Sequence, residues 1–110
     1  MDIEITESDD MQAVRITGDV DLSCSGQLRD ALLPTVGRFT ITVIDMSGVG
    51  SIDSSGVAGL VEGHQLAKKR SCRMVLAACG PSVTRVLQLA KLDQVFNMAA
   101  SVEDAAGAAR

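Results

Sequence analysis

The sequence predicts one α/β domain: a mixed sheet of four to five strands, an antiparallel hairpin first and parallel strands after it, with about four helices. Three observations carry this. Short alternating stretches at the N-terminus give way to two nearly continuous apolar runs, Phe39 to Met46 and Arg73 to Cys79. Alternation suits a half-exposed antiparallel pair, whereas a continuous apolar run suits a strand covered on both faces. Between and after those runs the apolar residues fall at helical spacing, so a strand–helix–strand order implies a right-handed parallel crossover.

The elements follow in order. Ile3 and Ile5 alternate with Glu4 and Thr6 over residues 2–6, a short half-exposed strand, and the polar Glu7 to Asp10 suits a hairpin turn. Met11 to Thr17 is the return strand, with Val14 and Ile16 inward and Arg15 and Thr17 outward. Gly18-Asp19-Val20-Asp21 then breaks it. A helix is expected from about Ser25, with Leu28, Ala31, Leu32 and Val36 at helical spacing and Ser23 or Ser25 as its N-cap. The ring of Pro34 would press on the carbonyl of Asp30, so the last turn is expected to be distorted and to end near Gly37.

After the run Phe39 to Met46, residues 54–69 read as a helix with Val57, Leu60, Val61 and His64 on one face. Pro81, after Gly80, stands at the favoured first position of a third helix, whose stripe is Val83, Val86, Leu87 and Ala90. Val95 to Met98 reads as an edge strand. Ser101-Val102-Glu103-Asp104 resembles a capping box for an alanine-rich final helix. With no linker or repeat, residues 1–110 read as one domain.

Composition narrows the functions. An apolar share of 46% supplies a core without staples. A formal net charge of −4, two Phe and neither Trp nor Tyr argue against phosphate-backbone binding and base stacking, so no nucleic-acid partner is expected. The basic run Lys68-Lys69-Arg70 falls at a helix C-terminus, where it offsets the helix dipole. Cys24, Cys72 and Cys79 form no C-x-x-C pair, and Cys72 and Cys79 differ in parity, so on one strand they would face opposite sides. Reduced, inert thiols are expected. The acidic start MDIEITESDD is unlike a signal segment, and no apolar run approaches the roughly 20 residues of a membrane helix. A cytoplasmic protein without direct membrane insertion is the expectation.

The chemical candidates reduce to one stretch. His64, the lone histidine, follows Ser54 by ten positions on the same helix, about 15 Å along the axis, which is far beyond hydrogen-bond reach. A serine-hydrolase arrangement therefore fails, and His64 reads as a core or boundary residue. The cysteines and histidine lack zinc spacing, so no metal is expected. Gly48-Val49-Gly50 is an incomplete dinucleotide motif and reads as a tight approach at a turn. What remains is Asp53-Ser54-Ser55-Gly56, at the strand-to-helix junction where open α/β sheets carry functional loops. Ser54 is expected to be the N-cap of the helix, worth about 1 kcal/mol. Gly56, Gly59 and Gly63 each cost the helix about 1 kcal/mol relative to alanine. Close packing on the sheet and a close-contact surface for a partner would both compensate, and the pattern leaves the two open.

Taken in order, Gly18-Asp19-Val20-Asp21, Leu28-Arg29, Leu33-Pro34, VIDMSGVGSIDSSGVAGL (residues 43–60), Gly80-Pro81-Ser82-Val83 and Arg85-Val86-Leu87 resemble the STAS domain. More narrowly, they are similar to the bacterial anti-sigma factor antagonists, over nearly the whole chain. The resemblance implies a non-enzymatic partner-switching protein of transcription regulation. Such antagonists bind an anti-sigma factor that is also a serine kinase of the GHKL type, and so free a sigma factor. The kinase uses ATP to phosphorylate the serine after the motif aspartate, which here is Ser54, and a serine phosphatase reverses the step. Asp21 matches the aspartate that lies near the acceptor on the partner surface, Ser55 the small hydroxyl position that follows, and Gly56 the motif glycine. The antagonist itself carries no cofactor and is expected to be a monomer when free. Two departures stand out: Lys91 where the family often has a glycine past the third helix, and Glu62 where a small or apolar residue is common. The alternative within the family is a STAS regulatory subunit of a membrane lipid-transport ATPase, without phosphorylation.

Overall fold

The computed structural model describes residues 1–8 and 10–108. The chain runs β1 (Asp2–Ser8), β2 (Met11–Thr17), α1 (Ser25–Leu32), β3 (Ile41–Gly48), α2 (Ser54–Lys69), β4 (Arg73–Ala77), α3 (Pro81–Leu89), β5 (Asn97–Ala99) and α4 (Val102–Ala108). The strands lie side by side in chain order, β1 and β2 antiparallel and every later pair parallel. This is the predicted α/β arrangement, with five strands and four helices.

The period-2 alternation of strands sorts the core into two faces. Val14 and Ile16 of β2, Ile44 and Met46 of β3, and Met74 and Leu76 of β4 share one face. There they meet Leu28 and Leu32 of α1, Leu60 of α2, and Val83 and Leu87 of α3, all fully buried. Each such leucine contributes roughly 1.5–3 kcal/mol by leaving water. On the other face Ile41, Val43, Val75 and Ala77 are covered by Val102 and Ala105 of α4. β3 and β4 are thus buried on both sides, as their continuous apolar runs predict. β1 is an edge and mostly exposed.

Several boundaries differ from expectation for reasons of pairing. β1 continues to Ser8, which pairs with Met11, so the hairpin turn is tighter than Glu7 to Asp10; Asp9 lies outside the described residues. β3 begins at Ile41 rather than Phe39, because Ile41 pairs with Met11 on one side and Arg73 on the other. It runs on to Gly48, which pairs with Thr17 after a register shift. β4 stops at Ala77, two residues before Cys79, and β5 starts at Asn97 rather than Val95. Cys72 and Cys79 therefore flank β4 instead of lying within it, and both pack against the same core cluster, so the parity argument does not apply. All three cysteines are free, and burial pushes the Cys79 thiol up to about 11. At that value it stays protonated near neutral pH and is unreactive.

α1 is preceded by Cys24 without a side-chain cap, so the expected Ser23 cap is absent; the side chain of Ser25 lies outside the described residues. Beyond Leu32 the chain continues as turns across Pro34 to Gly37, whose φ of +98° requires glycine. Lys91 takes the left-handed position itself, at φ +60°, with its amide donating to the Gln88 carbonyl at 3.0 Å and Leu92 N–H to Leu87 O at 2.8 Å. The glycine-type cap forms around lysine, so the missing glycine leaves the helix end unchanged in form. Ser71, at φ +58°, closes α2 the same way. There Lys68 and Lys69 occupy the last turn, and Arg70 Nη1 donates to Val36 O at 2.6 Å. At the start of α4, Ser101 Oγ accepts the Asp104 amide at 3.0 Å, half of the expected capping box. The predicted domain's last residues, Ala109 and Arg110, lie outside the described residues.

Candidate functional site

The parallel strands aim the β2–α1 and β3–α2 loops out of the same end of the sheet. Beyond the strands these loops stay zipped. Gly18 N–H donates to Gly48 O at 2.9 Å, Val20 N–H to Ser51 O at 3.0 Å and Asp53 N–H to Val20 O at 3.0 Å, with Val20 and Ile52 forming an isolated parallel bridge. Gly48 belongs to this close approach, since a Cβ there would stand 3.0 Å from the Ile16 carbonyl oxygen. The Gly48-Val49-Gly50 segment is therefore a packed turn, as read from the sequence. Val20 and Ile52 are both buried beneath the loops, which leaves Asp21 and Asp53 side by side on top.

Asp53, not Ser54, caps α2. Its backbone is extended (φ −105°, ψ −176°), held so by the hydrogen bond its N–H donates to Val20 O, and its Oδ1 accepts the amides of Ser55 and Gly56, each at 3.0 Å. The Ser55 hydroxyl donates to the same oxygen at 2.6 Å. Oδ2 takes the Leu22 amide at 3.1 Å, so one carboxylate both starts the helix and ties down the neighbouring loop. The expectation that Ser54 caps the helix is overturned. Ser54 is the first helical residue, exposed, and its hydroxyl makes no hydrogen bond among the described residues.

Asp21 is organised in the same way. Its Oδ1 accepts the Ser23 amide at 2.9 Å and the Ser23 hydroxyl at 2.5 Å, which explains why Ser23 is not free to cap α1. The Ser23 hydroxyl, then the Ser23 amide, hold the Asp21 carboxyl below its ordinary range, against opposing pushes from desolvation and, least, from Asp53. The Ser55 hydroxyl and the Gly56 amide do the same for Asp53. Both groups are therefore ionised at neutral pH, and the surface around Ser54 carries their charge.

Among the glycines of α2, Gly56 has a structural account. Gly56, Gly59 and Gly63 are all buried. A Cβ at Gly56 would lie 2.6 Å from Val20 Cγ1, 2.8 Å from Ile52 Cγ1 and 3.0 Å from Val20 O. Gly56 thus lets α2 begin directly on the Val20–Ile52 bridge, which brings Ser54 beside the Asp21 loop. Packing, rather than partner contact, compensates for its helix penalty. His64 is 7% exposed and stacks edge-on against Phe96 at 5.4 Å between ring centroids. It is the buried boundary residue that the sequence implies, and burial, with a smaller push from Lys68, lowers its pKa. Glu62 meets Arg29 Nε of α1 at 3.0 Å, an exposed ion pair across two helices.

No group of three or more His, Cys, Asp or Glu side chains is placed to share a metal ion among the described residues. No pocket opens among them either, and no helix is long and apolar enough to cross a membrane. The acidic loops, the exposed hydroxyl and Leu22, passed over in the sequence and 78% exposed, present themselves outward.

A STAS domain model matches residues 2–105, and the chain belongs to the STAS domain family. Among solved structures, an anti-sigma factor antagonist from Mycobacterium paratuberculosis superposes with a TM-score of 0.89 at 25% identity, covering 99% of this chain and 93% of that one. A putative anti-sigma factor antagonist from Thermotoga maritima gives 0.91 at 17% identity, covering 98% and 94%. The phosphorylated form of the Bacillus cell fate determinant SpoIIAA gives 0.77 at 20% identity, covering 99% and 100%. The family is regulatory and non-enzymatic.

Proposed function

We propose that this chain is an anti-sigma factor antagonist of a partner-switching pathway, with Ser54 as its phosphoacceptor. In the unmodified state it binds an anti-sigma factor that is a serine kinase of the GHKL type. That kinase uses ATP, transferring its γ-phosphoryl group to the Ser54 oxygen with ADP as the leaving group; the complex separates, and a serine phosphatase restores the hydroxyl by hydrolysis. The observation that carries this reading is the division of roles in Asp53-Ser54-Ser55-Gly56. Asp53 and the Ser55 hydroxyl are engaged with each other, while the Ser54 hydroxyl is exposed and, among the described residues, has no hydrogen-bond partner.

The physics fits a switch that changes binding rather than folding. A phosphate adds about −1.5 to −2 charges. At the first residue of α2 the positive end of the helix tolerates that charge. Asp21 and Asp53 are already ionised beside it, so a partner seated there meets like-charge repulsion and has to desolvate the dianion.

The test is incubation with ATP and the purified kinase-type anti-sigma factor of the source organism, followed by mapping of the phosphate by mass spectrometry. Modification at Ser54, abolished by Ser54→Ala, is expected. Modification at Ser55 alone would overturn the site. Co-purification with a lipid-transport ATPase and no kinase binding would replace the switch by the transporter-subunit reading. Because the cap is Asp53, Ser54→Ala should leave the urea midpoint unchanged whereas Asp53→Ala lowers it, and Ser54→Asp should weaken the complex without loss of stability.

A further inference from the structure

Leu22 is a large apolar side chain left 78% exposed at the centre of the acidic loops. Its exposure is built in. On one side Val20 is buried and bonded in both directions, to Ser51 O and from Asp53 N–H, each at 3.0 Å. On the other, Ser23 is held by Asp21 through amide and hydroxyl, and Cys24 N–H reaches Asp21 O at 3.1 Å. The Leu22 amide itself is anchored on Asp53 Oδ2. Turning the side chain down to the core would break these bonds, and Val20 already fills the space beneath. The backbone thus presents Leu22 outward in one fixed place, which lowers the entropy lost when a partner covers it.

The surroundings state what kind of partner fits. Asp19, Asp21 and Asp53 are exposed around Leu22, and no basic residue interrupts the segments 18–24 and 49–56. A complementary surface carries an apolar pocket for the leucine and cationic side chains at its rim, the arrangement of a buried anchor within a polar ring.

We infer that Leu22 is the apolar anchor of the partner contact, received by a pocket of the kinase-type protein that is rimmed by lysine or arginine. This rests on the partner-switching reading and adds to it the residue that supplies affinity. Ser54 carries the switch; Leu22 carries the grip. Truncation to alanine forfeits most of the apolar area that binding removes from water, about a tenfold loss of affinity. Leu22→Met, of similar volume and chemistry, keeps most of it.

The full chain and its Leu22→Ala and Leu22→Met variants are titrated calorimetrically against the purified kinase-type anti-sigma factor with ADP, at low and high salt. Ser54 phosphorylation kinetics and unfolding midpoints are measured in parallel. Expected are about tenfold weaker binding for Leu22→Ala, near-recovery for Leu22→Met, and weakening of all complexes by salt. The KM for the antagonist should rise with kcat unchanged, as for an interaction made equally in ground and transition states. Unfolding midpoints should coincide, since Leu22 is outside the core. Tight binding by Leu22→Ala overturns the anchor and leaves the switch standing. A lowered midpoint for Leu22→Ala, or a fall in kcat alone, also overturns it. No binding by the unaltered chain removes both readings together.

Discussion

Replacing each of the α2 glycines by alanine should give three outcomes of different sign in one helix. Alanine gains about 1 kcal/mol of helix propensity at an interior position. Against that stands what the new Cβ meets. At Gly56 it would meet Val20 Cγ1 at 2.6 Å, Ile52 Cγ1 at 2.8 Å and the Val20 carbonyl oxygen at 3.0 Å. The first two are side chains of the buried bridge, and the third is backbone, so none yields cheaply. Overpacking costs typically 1–3 kcal/mol, and three contacts at or under 3.0 Å, one of them backbone, place Gly56 in the upper part of that range, about 2–3 kcal/mol, which leaves a net loss of about 1–2 kcal/mol. At Gly59 the nearest atoms are Arg29 Cγ at 3.5 Å and Leu28 Cδ2 at 3.6 Å, ordinary contacts, so the propensity gain survives. At Gly63 the obstacle is the flexible Met74 Sδ at 3.1 Å, and gain and strain nearly cancel. With about 2.1 cal/mol/K of unfolding entropy per residue, Gly56→Ala should lower Tm by about 4–9 °C and Gly59→Ala raise it by about 4 °C. Thermal melts followed by circular dichroism, checked by urea midpoints at constant m, decide the matter. If Gly56→Ala melts like the unaltered protein but no longer binds the partner, the glycine serves the interface and the packing argument is wrong.

The remaining predictions concern helix ends and acid. Lys91→Gly should raise the unfolding free energy by about 0.5–1 kcal/mol, read as a higher urea midpoint at constant m, because a non-glycine residue at φ +60° carries a steric penalty that glycine avoids; an unchanged or lower midpoint would show that lysine contacts outweigh the strain. His64 is held below its ordinary pKa, so its contribution is complete above about pH 6.5 and is lost as pH falls through the lower folded value, the unfolded chain taking the proton more readily. Unfolding free energy should therefore decline on acidification from neutral pH, and His64→Leu should flatten that decline; a slope identical in both proteins would sink the attribution. The depressed carboxyls of Asp21 and Asp53 act further down, contributing above about pH 4 and fading below it.

Much of the architecture was legible because period and burial agree. Met11–Thr17 and Ser54–Lys69 were read to the residue, one from strict alternation and one from a helical stripe bounded by Asp53 and the basic end. Strand ends were misplaced where ladder pairing decides them: nothing in Phe39 or Thr40 announces that pairing starts at Ile41. The cap was misassigned for a similar reason. Asp53, Ser54 and Ser55 all carry capping oxygens, and the choice between them is made by the hydrogen bond from Asp53 N–H to Val20 O, a residue 33 positions away. Lys91 had a readable clue beyond the absent glycine, since Leu87 and Leu92 stand at the apolar positions of a left-handed cap. Leu22 had none, because exposure of a lone leucine depends on how its loop is pinned.

The reassigned cap also bears on why a switch at this junction can be clean. Were Ser54 the cap, its hydroxyl oxygen would be spent on a first-turn amide, and modification would trade a bond that starts the helix for a new charge. Stability and partner choice would then move together. With Asp53 in that role, Oδ1 starts α2 and Oδ2 holds the Leu22 loop whether or not Ser54 is modified. The hydroxyl is spare, and what a phosphate adds is charge next to two ionised carboxylates. A partner anchored at Leu22 would then be repelled from a surface whose shape is unchanged. The signal would be carried by electrostatics over an intact scaffold, so a single-charge mimic such as Ser54→Asp should reproduce only part of the release that a phosphate of about −1.5 to −2 charges brings.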